Sequence, residues 1–221
     1  MIIAISGLDG SGKSTQIEEL MRRLRNDGYK VKFIWARGGY TPGFEFIKKC
    51  LRRILGQQLP LPGHSNMREK KLGSPFIQRI WLIIAIADLV LLWGLYVRTL
   101  SKLNTVVICD RYLNDTLLDF RKNFPTSNIE GSIFWKLLTT FVPDPDHSFL
   151  FWVPVEISEK RSIAKGEPFP DTRETLEWRL NAYMDELTFP LDKYTRIDGR
   201  SSIAKISDKL YASIKSDLRT R

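Results

Sequence analysis

Residues 7 to 15 read Gly-Leu-Asp-Gly-Ser-Gly-Lys-Ser-Thr, and that run leaves the chain few folds to choose from. It is a complete P-loop, a stretch whose backbone N–H groups close around a polyphosphate. Such a loop sits between a buried strand and the N-terminus of a helix, whose dipole adds positive potential. Both flanks are legible. Ile2-Ile3-Ala4-Ile5 reads as a short buried strand, and Ile17, Leu20, Met21 and Leu24 recur at helical spacing after the loop. Gly7, Gly10 and Gly12 let the main chain approach phosphates without a Cβ in the way. Lys13 is then placed to reach the β/γ-phosphates and the Ser14 hydroxyl to ligate Mg²⁺, so the loop predicts binding of a nucleoside triphosphate.

Four further apolar runs read as strands: Val31–Trp35, Val106–Cys109, Ser148–Val153 and Tyr194–Ile197. Helical patterns separate them, which implies a parallel sheet with helices on both faces and right-handed crossovers. Gly28 closes the first helix, and Ile203, Ile206, Leu210 and Ile214 mark the apolar face of the last. The breaker-rich stretch from Gln57 to Gly73 is expected to be a loop. At 221 residues, one α/β domain accounts for the chain.

The net charge of +9 raises the question of a nucleic-acid partner. The basic residues are spread along the chain, however, and no RNA-binding signature or aromatic–basic interleaving accompanies them. No nucleic acid is expected; a site for two phosphorylated substrates accounts for some of the charge and solvated helix faces for the rest. Cys50 and Cys109 do not form a disulfide framework, and Cys109 lies inside an apolar strand run. Met1 leads directly into the first strand, so no signal peptide is expected and a cytoplasmic location follows. Ile80 to Val97 is apolar apart from Asp88 and Gly94, long enough to pass as a membrane helix. A carboxylate near its middle is costly in hydrocarbon, and a strand follows almost at once. The segment therefore reads as a core or homodimer-interface helix, ahead of a membrane-surface role.

The strand Val106–Cys109 ends in Asp110, placed to hold Mg²⁺ directly or through water beside the P-loop. Arg111 and Tyr112 follow. Together, this Asp-Arg-Tyr and the P-loop resemble the thymidylate kinase family of nucleoside monophosphate kinases. Looser matches follow in order: Ile34-Trp35-Ala36-Arg37, Thr41-Pro42, Ala87-Asp88, Glu159-Lys160-Arg161 with Lys165-Gly166-Glu167, and Ile197-Asp198-Gly199.

The resemblance implies a P-loop kinase fold: three α/β/α layers, a five-stranded parallel sheet, and a short lid at about 157–173 in a single domain spanning 1–221. ATP and Mg²⁺ are the implied cofactors, and a phosphorylated small molecule the acceptor. Gly7, Gly10, Ser11, Gly12, Lys13, Ser14 and Thr15 would hold ATP, with Arg161 against the adenine. Ser14 and Asp110 would hold the metal. Asp9, Arg37, Arg111 and Tyr112 would form the acceptor site, with Arg37 and Arg111 clamping its phosphate. Asp9 would face the acceptor's sugar or the reaction centre. Lys13, Asp9, Arg111 and Lys165 carry the catalytic roles, with Lys160 and Arg173 as further lid cations able to supply transition-state charge. Family members differ in whether the P-loop itself carries an arginine; Gly10 stands at that place here.

Three departures bear on the acceptor. Leu89 stands where the family's arginine reads the thymine edge, and a Leu donates no hydrogen bond. Asp115 and Asp119 are added carboxylates, expected in the acceptor pocket. Ile163 stands where a lid arginine is expected. Two other readings remain beside the nucleoside monophosphate kinase: a kinase for a different small or lipid-linked acceptor, and a regulatory P-loop NTPase. The latter needs a positioned water and a switch segment, and the sequence offers no clear residue for either.

Overall fold

The computed structural model describes residues 1–35, 75–166 and 170–219. Arg37, Thr41-Pro42, Cys50, Glu167 and the 57–73 stretch lie outside the described residues. Five strands form: β1 (Ile2–Gly7), β2 (Lys30–Trp35), β3 (Thr105–Asp110), β4 (His147–Trp152) and β5 (Tyr194–Asp198). All pair in parallel, in the order β2-β3-β1-β4-β5. The central strands are continuous apolar runs because helices cover both their faces. β1 is buried along its whole length, whereas β2 buries only Ile34 and carries exposed Lys30 and Lys32. Lysines suit its place at the sheet edge, where they discourage pairing with another chain.

The residues divide into two compact units. The first comprises Met1–Ala36, Thr99–Leu118 and Asp144–Arg221 and contains the whole sheet. One apolar cluster packs β1, β3 and β4 against α1 (Lys13–Asn26) and a long C-terminal helix, through Ile3, Ile5, Leu20, Leu24, Leu210 and Ile214. A second gathers Leu8, Leu150, Val155, Leu176, Tyr183 and Phe189 around the other helices of the unit. The sheet thus has helices on both faces, a three-layer α/β/α arrangement. Gly28, at φ +86, lets Tyr29 and Gly28 return N–H hydrogen bonds to Leu24 and Arg25, which closes α1. Ile203 was expected on the apolar face of the last helix. It lies in that helix's first turn and is exposed, since the core begins one turn later at Ile206.

The second unit comprises Arg37–Arg98 and Asp119–Pro143. Its main element is a helix that runs as α2 (Pro75–Leu89) and widens to a π-helical stretch over Val90–Val97; the α3 residues that follow (Arg98–Lys102) belong, from Thr99 on, to the first unit. Trp81, Ala85, Leu89, Trp93 and Val97 are buried at four-residue intervals. A 3.6-residue turn would rotate such a stripe steadily off one face; the wider π turn keeps Leu89, Trp93 and Val97 inward. Trp81 meets Phe124 and Phe120, with ring centroids 5.2 and 6.3 Å apart, and Phe120 meets Trp135 of α5 (Ile133–Phe141). Among the described residues, Gln78–Lys102 is the one helix long and apolar enough to cross a membrane; 39% of its apolar window is buried, with Trp81 and Trp93 inward and Leu91 and Leu95 exposed. Between β3 and α5 the chain forms α4 (Leu113–Asn123), whose sequence passes from the first unit into the second. Two helices, α6 (Val155–Ala164) and α7 (Arg173–Met184), flank β4 and β5 in sequence, and α8 (Ile203–Arg219) ends the chain.

Candidate active site

Parallel pairing brings the carboxyl ends of the strands to one edge. Ile5 lies opposite Asp110, Gly7 opposite Phe151, and Trp152 opposite Asp198. The P-loop, the Asp110-Arg111-Tyr112 turn and the turn at Gly199 therefore converge there, where β1 has neighbours on both sides.

The P-loop is shaped by close backbone approach. Gly7 has φ +135, and a Cβ there would stand 2.0 Å from the Phe151 carbonyl oxygen. Gly10 has φ +72, and a Cβ would stand 2.6 Å from the Ser158 carbonyl oxygen. The loop thus rests directly on α6, and the Ser158 hydroxyl donates to the Asp9 carbonyl at 2.6 Å. A side chain at Gly10 would require the loop or α6 to shift. Arg161, also on α6, donates to the Gly199 carbonyl at 3.0 Å and the Gly10 carbonyl at 3.3 Å. It ties the loop to the β5 turn at the place expected for the adenine.

Lys13 begins α1 and is buried. Its ammonium donates to the Gly7 and Leu8 carbonyls at 2.9 and 2.7 Å and lies 3.7 Å from Asp9. Burial pushes its pKa down to about 8, and the neighbouring Arg111 charge adds to the fall against Asp9, Asp110 and Asp115. An anion would favour the charged form, so the site is electrostatically suited to phosphate. Ser14 and Thr15 are exposed in the first turn of α1, while Ser11 is buried and its hydroxyl has no hydrogen-bond partner among the described residues.

Asp110 ends β3 and is nearly buried, and desolvation raises its pKa despite Lys13 and Arg111 nearby. Its Oδ1 is buried with no protein hydrogen bond among the described residues. A buried acceptor without a partner is costly, and a hydrated cation would satisfy it. Among the described residues no cluster of three or more His, Cys, Asp or Glu is arranged for a metal. The donor set fits Mg²⁺, which takes one or two protein oxygens and completes its shell with phosphate and water. Ser14 and Asp110 are the residues that would hold it.

Arg111 is buried and adopts φ +71, a left-handed conformation rare for a side chain of this size. Its Nη2 donates to Asp9 Oδ1 at 2.5 Å and its Nη1 to the Tyr183 hydroxyl at 3.0 Å. Lys13 and Arg111 therefore share Asp9, two buried cations held around one P-loop carboxylate. Tyr112 is buried beside them, and its backbone N–H donates to Asp115. Asp115 does not open into a pocket as its sequence position suggested. It is 1% exposed, and its oxygens accept from the Ser6 hydroxyl, the Tyr112 N–H and the Tyr183 hydroxyl. Asp119 and Leu89 are buried as well.

The described lid cations are exposed. Lys160 and Lys165 are exposed on and just after α6, and Ile163 is 66% exposed. Arg173 is engaged with Glu156 at 2.8 Å and Glu177 at 3.2 Å on the surface. Two site residues escaped the sequence reading. Tyr183 sits on the buried side of α7 with Leu176, a spacing that reads only as core, and Ser158 lies inside a helix with no motif.

No protein-family model matches the chain. The thymidylate kinase of Pseudomonas fluorescens (strain Pf0-1) is 27% identical over 216 residues, covering 95% of this chain and 92% of that protein. The thymidylate kinase of Thermosipho africanus is 28% identical over 227 residues, covering 98% and 96%. That of an Exiguobacterium species is 24% identical over 221 residues, covering 95% and 92%. Each similarity runs nearly end to end.

Proposed function

We propose that this chain, which belongs to the thymidylate kinase-like group of nucleoside monophosphate kinases, moves the γ-phosphoryl of ATP onto dTMP or a related nucleoside monophosphate with the help of Mg²⁺. The observation that carries the reading is the pair of buried cations, Lys13 and Arg111, held on Asp9 at the sheet edge beside a complete P-loop. Phosphoryl transfer needs little covalent chemistry from a protein; it needs in-line positioning and cations around the charge in flight. Lys13 exchanges its two carbonyl partners for the β/γ-phosphate oxygens. Arg111 exchanges Asp9 for the acceptor phosphate, with Arg37 as its partner in the clamp, and Tyr112 lies beside it. Asp9, released, faces the acceptor at the reaction centre. Ser14 and Asp110 would hold Mg²⁺, which would supply positive charge to the phosphates. Gly7, Gly10, Ser11, Gly12 and Thr15 line the phosphate cradle, and Arg161 packs on the adenine. Lys165 closes with the lid, at about 157–173, to add positive charge. The whole of 1–221 acts as one kinase domain.

The base is the part of the reading that Leu89 weakens. A buried Leu offers no hydrogen bond to a thymine carbonyl, and a site without the base-reading donor loses discrimination. We expect kcat/KM for dTMP to exceed those for dUMP, dCMP and dGMP by less than about tenfold, where a hydrogen-bond-reading site reaches 10⁴-fold or more. Coupled assays of ADP release with each monophosphate test this, with Lys13→Ala as the control that must lose turnover while staying folded. ADP release that ignores every acceptor would point to a regulatory NTPase, and transfer only to another acceptor class would retire the monophosphate. A cytoplasmic enzyme that pairs with a second copy of itself completes the reading. The pairing is supported by the apolar residues that the helical unit leaves exposed, among them Leu91, Leu95, Ile133, Leu137 and Phe141.

A further inference from the structure

We propose that Asp115 and Tyr183 are positioning residues for Arg111, fixing the guanidinium so that the face it turns to Asp9 is the one offered to the acceptor phosphate. The inference rests on Arg111 binding that phosphate. Arg111 is held in a left-handed backbone conformation, and such a conformation persists only where the surroundings over-determine it. The surroundings here are specific. The Arg111 N–H donates to the Ile5 carbonyl at 2.9 Å, which fixes the residue to the end of β1. The next residue, Tyr112, donates its N–H to Asp115 Oδ2 at 3.1 Å, so Asp115 reaches back from the first turn of α4 as the acidic half of a capping box does. The turn is locked on both sides of the arginine.

The side chain is locked by the same carboxylate. A tyrosine hydroxyl has one proton to give. Tyr183 gives it to Asp115 Oδ1 at 2.8 Å, so its lone pair faces Arg111 Nη1 at 3.0 Å. Ser6, on β1, donates to the other Asp115 oxygen at 2.5 Å and keeps the carboxylate from rotating. Asp115 and Tyr183 are each about 1% exposed, so this half of the guanidinium is anchored out of water. The other half meets Asp9, whose side chain is 26% exposed. The anchored half stays; the Asp9 half exchanges. Apolar residues at 115 and 183 would fill the same core space but leave Arg111 free to follow Asp9 when the ligand arrives.

The test is Tyr183→Phe, which deletes one hydroxyl and keeps the ring. ¹⁵N NMR of the arginine side chains reads the restraint without activity. Wild-type Arg111 should show separate, slowly exchanging Nη signals that merge in Tyr183→Phe; identical Arg111 signals in both proteins would overturn the proposal. In ATP-to-dTMP turnover, Tyr183→Phe should raise KM for dTMP or lower kcat by about tenfold, with KM for ATP within about twofold. Introduced into an Arg111→Lys background, the same change should have almost no further effect, because its target is gone. An equal effect in both backgrounds would mean a merely structural tyrosine. Asp115→Asn serves as a second variant and should also merge the Nη signals. If wild type uses no nucleoside monophosphate, the functional reading fails, while the NMR comparison still decides the positioning claim.

Discussion

At the residue scale, the most consequential number is the pKa of Lys13, brought from 10.5 to about 8 chiefly by burial. Between about pH 8 and 10.5 the unfolded chain holds this proton and the folded chain does not. The lysine's contribution to stability therefore rises with pH across that window; below about 8 the folded protein carries a buried ammonium at a cost. Binding runs the other way, because a polyphosphate needs the charged form. We expect ATP binding at pH 8.5 to take up a proton at Lys13 and binding at pH 6.5 to take up none there. Calorimetry in buffers of different ionisation enthalpy measures this, with Lys13→Met as the control that abolishes the pH 8.5 uptake. A heat of binding independent of buffer at pH 8.5 would show that Lys13 already carries its charge in the free protein. Affinity should also fall by about tenfold per pH unit above that pKa, the slope of one required proton.

At the element scale, the P-loop and α6 form one piece. Gly10 presses on the Ser158 carbonyl, Ser158 holds the Asp9 carbonyl, and Arg161 bridges the loop to the β5 turn. A side chain at Gly10 would push the loop off the helix, whereas one at Gly12 would meet nothing within 4 Å. Both positions have positive φ, so both substitutions carry a backbone cost of about 1–2 kcal/mol. Only Gly10→Ala adds the clash. We expect it to lower Tm clearly more than Gly12→Ala and to weaken ATP binding by at least about tenfold; equal Tm losses would mean that α6 yields easily. The elements themselves were legible in the sequence because of how they are buried. Five strands emerged within one or two residues; the central ones did so because parallel strands covered on both faces are unbroken apolar runs. The P-loop and the Asp110-Arg111-Tyr112 turn were legible because chemistry dictates their residue types. Tyr183, Ser158 and the fate of Asp115 were not. Their roles depend on partners 68 to 149 residues away, and no local pattern separates a core tyrosine from an anchoring one. The π-helical stretch likewise follows from which residues are packed inward, not from any local residue type.

At the scale of the whole molecule, charge and apolar surface are unevenly distributed between the two units. The residues of the helical unit carry thirteen Lys and Arg against five Asp and Glu, so +8 of the net +9 belongs to them. The same unit leaves Leu91, Leu95, Ile133 and Phe141 between 53% and 65% exposed. A second copy that covers these side chains must bring together two chains that each carry a net charge of +9. Apolar burial favours the pairing at about 25 cal/mol per Å², and like-charge repulsion opposes it. The balance predicts a particular salt response. Screening weakens the repulsion and leaves the apolar contribution intact, so the dimer should tighten as NaCl rises from about 0.05 to 0.5 M, over which the Debye length falls severalfold. An interface built on opposite charges, or retention on anionic lipid or nucleic acid, would weaken instead. Sedimentation velocity across that salt series measures the direction. Leu95→Asp, at an exposed position, should convert the protein to monomer with little change in Tm. A wild-type chain that stays monomeric at every salt and protein concentration would remove the homodimer from the proposed function, and a dimer that loosens with salt would place its interface away from these helices.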